Sequence, residues 1–268
     1  MEAEERSSED DNTPVYLVLG AAGGVGSELV KRLRLRGARV IRAVRNIEPA
    51  ALEPSSDSSP LIEFDACDMK QMQDCFDTAR NFYGRLDGVA CCVGSILLKP
   101  AHLTSDQDWQ SIISVNLSSA FAAVKFASKI MMGRGGSIVL VSSCAARFGL
   151  PNHEAIAAAK AGVEGLVRSA AATYSRHQIR VNCVSPGMLK TKLTQSIRSN
   201  EMQLQASTEM HPLGRIGEAA DVAALMDWLL GDESGWVTGQ CIAVDGGLSS
   251  MRSSRTQRTS SNAVPASG

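Results

Sequence analysis

The sequence predicts a single α/β domain: a doubly wound, mostly parallel sheet of about seven strands with helices on both faces. Three observations carry the prediction. Short apolar runs of strand length alternate with longer stretches of helical spacing, the first run ends in a dense glycine turn from Gly20 to Gly26, and no internal repeat or second apolar block breaks the 268 residues. Strands and helices alternating in this way favour parallel pairing, because parallel neighbours need right-handed crossovers that return over a face of the sheet.

Taken in order, Val15–Leu19 reads as a buried strand. Residues 25–36 follow with helical spacing and stop at Gly37, a residue suited to the left-handed C-terminal position. Further strands are expected at 38–44, 61–64, 88–93, 137–141, 179–184 and 240–244, and helices near 69–83, 105–132, 153–176 and 218–230. A loop, residues 49–60, follows the second strand. The domain is therefore placed at 14–248. Acidic residues 1–13 and Ser/Arg-rich residues 249–268 carry too little apolar content to pack, and are expected to be disordered tails.

Composition narrows the function classes. A net charge of -1 provides no basic field to concentrate nucleic acid or an anionic membrane. No apolar run is expected to cross a membrane, the greasy stretches being broken by Gly, Ser or charge. The seven cysteines are odd in number and scattered mostly through apolar runs, which suits reduced thiols, and no Cys or His spacing suggests a metal site. The start of the chain, MEAEERSSEDDNT, resembles neither a secretory signal nor a basic transit peptide. A cytoplasmic address is expected, with a plastid or mitochondrial one left open to a transit segment removed upstream.

The first strand runs directly into Gly20-Ala-Ala-Gly-Gly-Val-Gly26 and then a helix. The helix N-terminus presents backbone N–H groups and the positive end of its dipole to whatever fills the turn, and a pyrophosphate matches that field. Glycines let the backbone approach phosphate without a Cβ in the way. Dinucleotide binding is the function this local pattern predicts, with Gly20, Ala22, Gly23, Gly24, Val25 and Gly26 as contacts.

The spacing G-x-x-x-G-x-G resembles that of the short-chain dehydrogenases/reductases, and the resemblance extends over nearly all of residues 14–248. It is carried also by Asp65-Ala-Cys-Asp68, Val115-Asn116-Leu117, Val141-Ser142-Ser143, Ser185-Pro186-Gly187 and the closing stretch from Val237 to Gly247. It implies a Rossmann-like fold, a nicotinamide cofactor, and further cofactor contacts from Asp65, Ala66, Cys91, Leu189 and Thr191. Thr191 matches the residue that holds the nicotinamide carboxamide. At the end of the second strand an acidic residue would bind the adenosine ribose, whereas a cation favours a 2'-phosphate. Arg45 stands there with Arg42 nearby, so NADP(H) is favoured over NAD(H), although Gly23 replaces the basic residue that the family places inside the turn.

The resemblance also implies four working residues, of which three are matched. Asn116 matches the Asn that supports a water, Ser143 the Ser that hydrogen-bonds the substrate oxygen, and Lys160 the Lys that lowers a phenol's pKa and holds the nicotinamide ribose. The phenol's own position, thirteen residues after Ser143 and four before Lys160, is Ile156. A side chain without an ionisable atom cannot be a general acid, and positioned proton transfer is typically worth about 100- to 10,000-fold. The family's Asn-Asn-Ala-Gly is Cys91-Cys92-Val93-Gly94 here, and Leu19 replaces a Thr. His153, two helical turns before Lys160, lies on nearly the same helix face and titrates near ~6.5 when unperturbed. It is the replacement proton donor this sequence offers; the alternative is a surface residue at a helix start. Cys144 reads as a small buried hydrophobe, and Tyr174 as a core residue too far along its helix to substitute.

Residues 188–216 carry Met188, Leu189, Leu193, Ile197, Met202, Leu204, Met210 and Leu213. In the family this stretch covers the substrate, which points to a small or medium-sized apolar molecule. Small residues on the long helices suggest a homodimer or homotetramer. Three functions follow: an atypical NADP(H) oxidoreductase acting on a carbonyl, alcohol or activated alkene, a catalytically silent cofactor-binding sensor or scaffold, and a non-redox cyclase or isomerase.

Overall fold

A computed structural model describes residues 12–47 and 59–251. The expected disordered tails and the loop after the second strand thus lie outside the described residues, apart from 12–13, 59–60 and 249–251.

Seven strands form one parallel sheet: β1 (Val15–Leu19), β2 (Arg39–Val44), β3 (Leu61–Glu63), β4 (Gly88–Cys91), β5 (Gly136–Val141), β6 (Ile179–Pro186) and β9 (Cys241–Val244). Their spatial order is β3-β2-β1-β4-β5-β6-β9. The order reverses at β1, where Leu17 pairs with Ile41 on one side and Val89 on the other. At such a switch point the crossovers leave in opposite directions, so a crevice opens beyond the carboxyl ends of β1 and β4. A short second sheet pairs β7 (Leu189–Lys190) with β8 (Gly217–Glu218).

The strands are apolar on both faces because both are covered. On one side α2 (Met69–Tyr83), α4 (Ser119–Met131) and α5 (Glu154–Tyr174) bury Phe76, Met131 and Val163 against Leu17, Ile138 and Val181. On the other, α1 (Gly24–Leu35) and α8 (Ala219–Leu230) bury Leu29, Leu33 and Met226 against Val18, Val40 and Val139. Tyr174 packs against the first of these cores, as expected. Gly37 ends α1 at φ +82°, and Asp68 caps α2 by accepting from the Lys70 and Gln71 amides at 2.8 and 3.1 Å.

The helix expected over 105–132 is divided. α3 (Asp106–Ile113) passes through a π turn at Ser114–Ser118 into α4. The Asn116 amide donates back to the Ile112 carbonyl at 3.0 Å and the Ser119 hydroxyl to Val115, so side chains enter the helical ladder and widen it. By length and composition, Asp106–Met131 is the one helix among the described residues apolar enough to cross a membrane, contrary to the expectation that none would be. Its apolarity goes into the interior: α4 alone buries nine residues, Phe126 and Met131 among them.

Candidate active site

A cavity of about 360 Å³ opens at the switch point, walled by the glycine turn, the β4 and β5 ends, the start of α5 and the segment after β6. Its floor on the β1 side is Ala22, Gly23, Gly24 and Val25. Gly20 holds the turn at φ +77°, and a Cβ on Gly26 would lie 2.3 Å from the Gly20 carbonyl oxygen. A Cβ on Gly24 would lie 2.7 Å from Cγ2 of Thr191, which closes over the turn from the opposite wall. The N-cap of α1 is Gly23, with no side chain to satisfy the first-turn N–H groups. The turn is a bare-backbone cradle at a helix N-terminus, and it fits a dinucleotide pyrophosphate.

The structure brings Asn116, Ser143, His153, Ile156 and Lys160 onto this one cavity wall. Lys160 is 6% exposed and donates to the Val141 carbonyl at 2.8 Å, and burial pushes its ammonium down to about 8. Asn116 is buried in the π turn, its amide donating to Ser95 Oγ at 3.0 Å while its carbonyl accepts from the Ser95 amide. Gly94 lies between Asn116 Oδ1 and Lys160 Nζ, at 3.3 and 3.6 Å from where its Cβ would be. Ser143 Oγ accepts from the Ala145 amide at 3.2 Å, keeping its hydroxyl hydrogen as a donor.

Ile156 is 5% exposed and packs with Ile112, Ala155 and Ala159. The chain has three tyrosines, Tyr16, Tyr83 and Tyr174, and none is on the cavity wall. His153 is half-buried at the mouth, and its Nδ1 lies 2.7 Å from the Pro151 carbonyl. A carbonyl only accepts, so Nδ1 carries the hydrogen and Nε2 is left as the reactive nitrogen.

The remaining expected contacts divide. Leu189 and Thr191 are on the cavity wall. Arg45 is exposed just beyond β2, while Arg42 donates to the Ser59 carbonyl at 3.2 Å. Asp65 and Ala66 sit in the turn after β3, where the Asp65 carboxylate accepts from the Cys67 amide at 2.9 Å. Cys91 departs from expectation: it is 3% exposed within the core, and the cavity is walled instead by Cys92, Val93 and Gly94. The strand expected to reach residue 93 ends at Cys91, turning its continuation across the cavity. Cys144 is buried with its thiol pushed up to about 11, as suits a small packed side chain. Two buried polar residues on the wall, Thr194 and His211, went unnoticed in the sequence, because the surrounding segment is polar and exposed and offers no periodicity that would mark them.

Residues 20–249 match the family model for enoyl-(acyl carrier protein) reductase. The chain is 33% identical to a short-chain type dehydrogenase/reductase of Picea abies, with 87% of this chain and 91% of that protein covered. It is 32% identical to the 3-oxoacyl-[acyl-carrier-protein] reductase of Thermotoga maritima over 87% and 97% of the two chains. Among solved structures, a short-chain type dehydrogenase/reductase from Mycobacterium ulcerans superposes with TM-score 0.82 at 30% identity, covering 89% and 90%. ElxO with NADP bound superposes with TM-score 0.83 at 25% identity, covering 89% and 100%. The chain belongs to the short-chain dehydrogenase/reductase family, whose members are oxidoreductases that bind NAD(P).

Proposed function

We propose that this protein is an NADP(H)-dependent oxidoreductase that acts on a small or medium-sized apolar carbonyl, alcohol or activated alkene without a phenolic acid. The observation that carries this reading is the convergence of Lys160, Ser143 and Asn116 on one wall of a largely aliphatic cavity that opens onto the glycine cradle. When bound, the cofactor supplies or accepts the hydride. The cradle from Gly20 to Gly26 holds its pyrophosphate, Thr191 closes over the turn, and Arg45 at the β2 edge attracts a 2'-phosphate. Lys160, cationic below about pH 8, holds the ribose and supports negative charge on the substrate. Ser143 donates its hydroxyl hydrogen to the substrate oxygen, and Asn116 is held rigid by Ser95 for a water leading to Lys160. In the reducing direction the proton comes from the doubly protonated His153 ring, which gives up its Nε2 hydrogen and keeps its Nδ1 hydrogen on the Pro151 carbonyl, or from water.

One observation favours a second reading, a cofactor-binding protein without turnover: Ile156 fills an aliphatic cluster, so nothing polar stands at the phenol's place. For assembly, the half-exposed Phe121 on α4 supports a homodimer or homotetramer, and the reading keeps the cytoplasmic address with no nucleic-acid or membrane partner. NADPH and NADH fluorescence titrations of the wild type and Arg45→Asp test the cofactor. Arg45→Asp is expected to weaken NADPH at least ten-fold, about 1.4 kcal/mol, and to leave NADH within two-fold. Equal loss of both would remove Arg45 from phosphate recognition.

A further inference from the structure

Between Thr194 and His211 the chain forms two helices, α6 (Gln195–Arg198) and α7 (Glu201–Met210), and neither buries a single residue. Ile197, Ser207 and Met210 nevertheless wall the cavity. A segment without buried side chains has little packing energy to fix its position, so its placement depends on polar ties, one from Arg198 to the Thr191 carbonyl at 3.1 Å and the others at its ends.

The two ends are held in the same place. Thr194, 8% exposed, donates its hydroxyl to the Leu189 carbonyl. His211, 2% exposed, accepts from the Met188 amide through Nε2 at 3.2 Å. Its other nitrogen lies 2.6 Å from the Ser207 carbonyl in α7, and because that oxygen only accepts, the ring is the Nδ1–H tautomer with Nε2 free to accept. The fit depends on Gly187, where a Cβ would lie 2.5 Å from Nε2. Two adjacent residues, Met188 through its amide and Leu189 through its carbonyl, therefore grip both ends of the intervening segment. The same dipeptide sits on the cavity wall, its Leu189 end two residues before Thr191.

We propose that Thr194 and His211 are positioning residues. They clamp residues 195–210 to the Met188–Leu189 dipeptide and so set how closely Ile197 and Met210 approach a substrate lying beside the cofactor. The inference rests on the substrate-site reading above, but its structural half is tested without turnover. His211→Asn keeps a donor for the Ser207 carbonyl and loses the acceptor for Met188, whereas His211→Gln places an acceptor near the former Nε2. Thr194→Val removes the other clamp at nearly constant shape.

Hydrogen exchange of the full chain is the primary measurement. In His211→Asn and Thr194→Val, amides of 195–210 are expected to exchange at least ten-fold faster, with the amides of β1, β4 and β5 unchanged and His211→Gln closer to wild type. Where NADPH turnover of an apolar substrate is found, KM for that substrate rises at least five-fold in His211→Asn while the NADPH Kd stays within two-fold. Exchange over 195–210 within two-fold of wild type in both variants overturns the proposal, as does acceleration spread equally over the central strands. An absence of turnover in the wild type bears on the oxidoreductase reading alone and leaves the exchange result to decide the clamp.

Discussion

Lys160 shows how one burial event joins stability to chemistry. Its ammonium is enclosed between the β4 and β5 ends with a single carbonyl partner 2.8 Å away, so desolvation outweighs the stabilisation and the group titrates near 8. An unfolded lysine titrates near 10.4, so between about pH 8 and pH 10.4 the unfolded chain holds a proton that the folded chain has released. Stability therefore rises with pH across that window, and below about 8 the full penalty of the buried charge applies. At 1.36 kcal/mol per unit the penalty is on the order of 3 kcal/mol. Lys160→Met should raise the denaturation midpoint of the cofactor-free protein at pH 7 and flatten the rise between pH 8 and 10; an unchanged pH dependence would place the titration elsewhere. At this scale the sequence was legible where a motif named the side chain, as with Ser143 and Lys160, and illegible where tertiary contact decided. Nothing local distinguishes Cys91, which went into the core, from Cys92, which reached the cavity.

At the scale of elements, the strand–turn–helix from β1 into α1 is legible in the sequence because its requirement is local: a strand must turn at once into a helix. The structure ranks the glycines. A Cβ on Gly26 meets the backbone oxygen of Gly20, which cannot move without opening the turn, whereas a Cβ on Gly24 meets a methyl of Thr191. Gly26→Ala is accordingly expected to abolish measurable NADPH binding and to destabilise the fold by roughly 1–3 kcal/mol, the usual cost of overpacking. Gly24→Ala should weaken NADPH more mildly and be rescued by Thr191→Ser, which removes that methyl; titration of the double variant decides, since failure of rescue would contradict the contact. The π turn was not legible. Residues 105–132 carry an uninterrupted helical pattern, and at the break the Asn116 side chain bonds both Ile112 within the helix and Ser95, twenty-one positions away. The same is true of β6, which outlasts its expected end at 184 because Ser185 and Pro186 find partners in Ala243 and Val244 of β9.

For the whole molecule, alternation of strand and helix was enough to give a parallel sheet with two covered faces, and the strand order then places the crevice at β1 and β4. The sheet order sets the crevice and the family's members bind NAD(P); the proton's route is left to the residues on the wall. We propose that hydride transfer occurs in a site whose phenol position is Ile156. The most direct test is NADPH oxidation by the purified wild type against a panel of apolar ketones, aldehydes and enones, beside Ile156→Tyr and His153→Ala. Expected are saturable NADPH binding by all three, turnover of at least one panel member by the wild type, and a loss of about 100-fold or more in His153→Ala if His153 rather than water delivers the proton. Saturable binding without turnover by the wild type, with turnover appearing in Ile156→Tyr, would contradict the proposal.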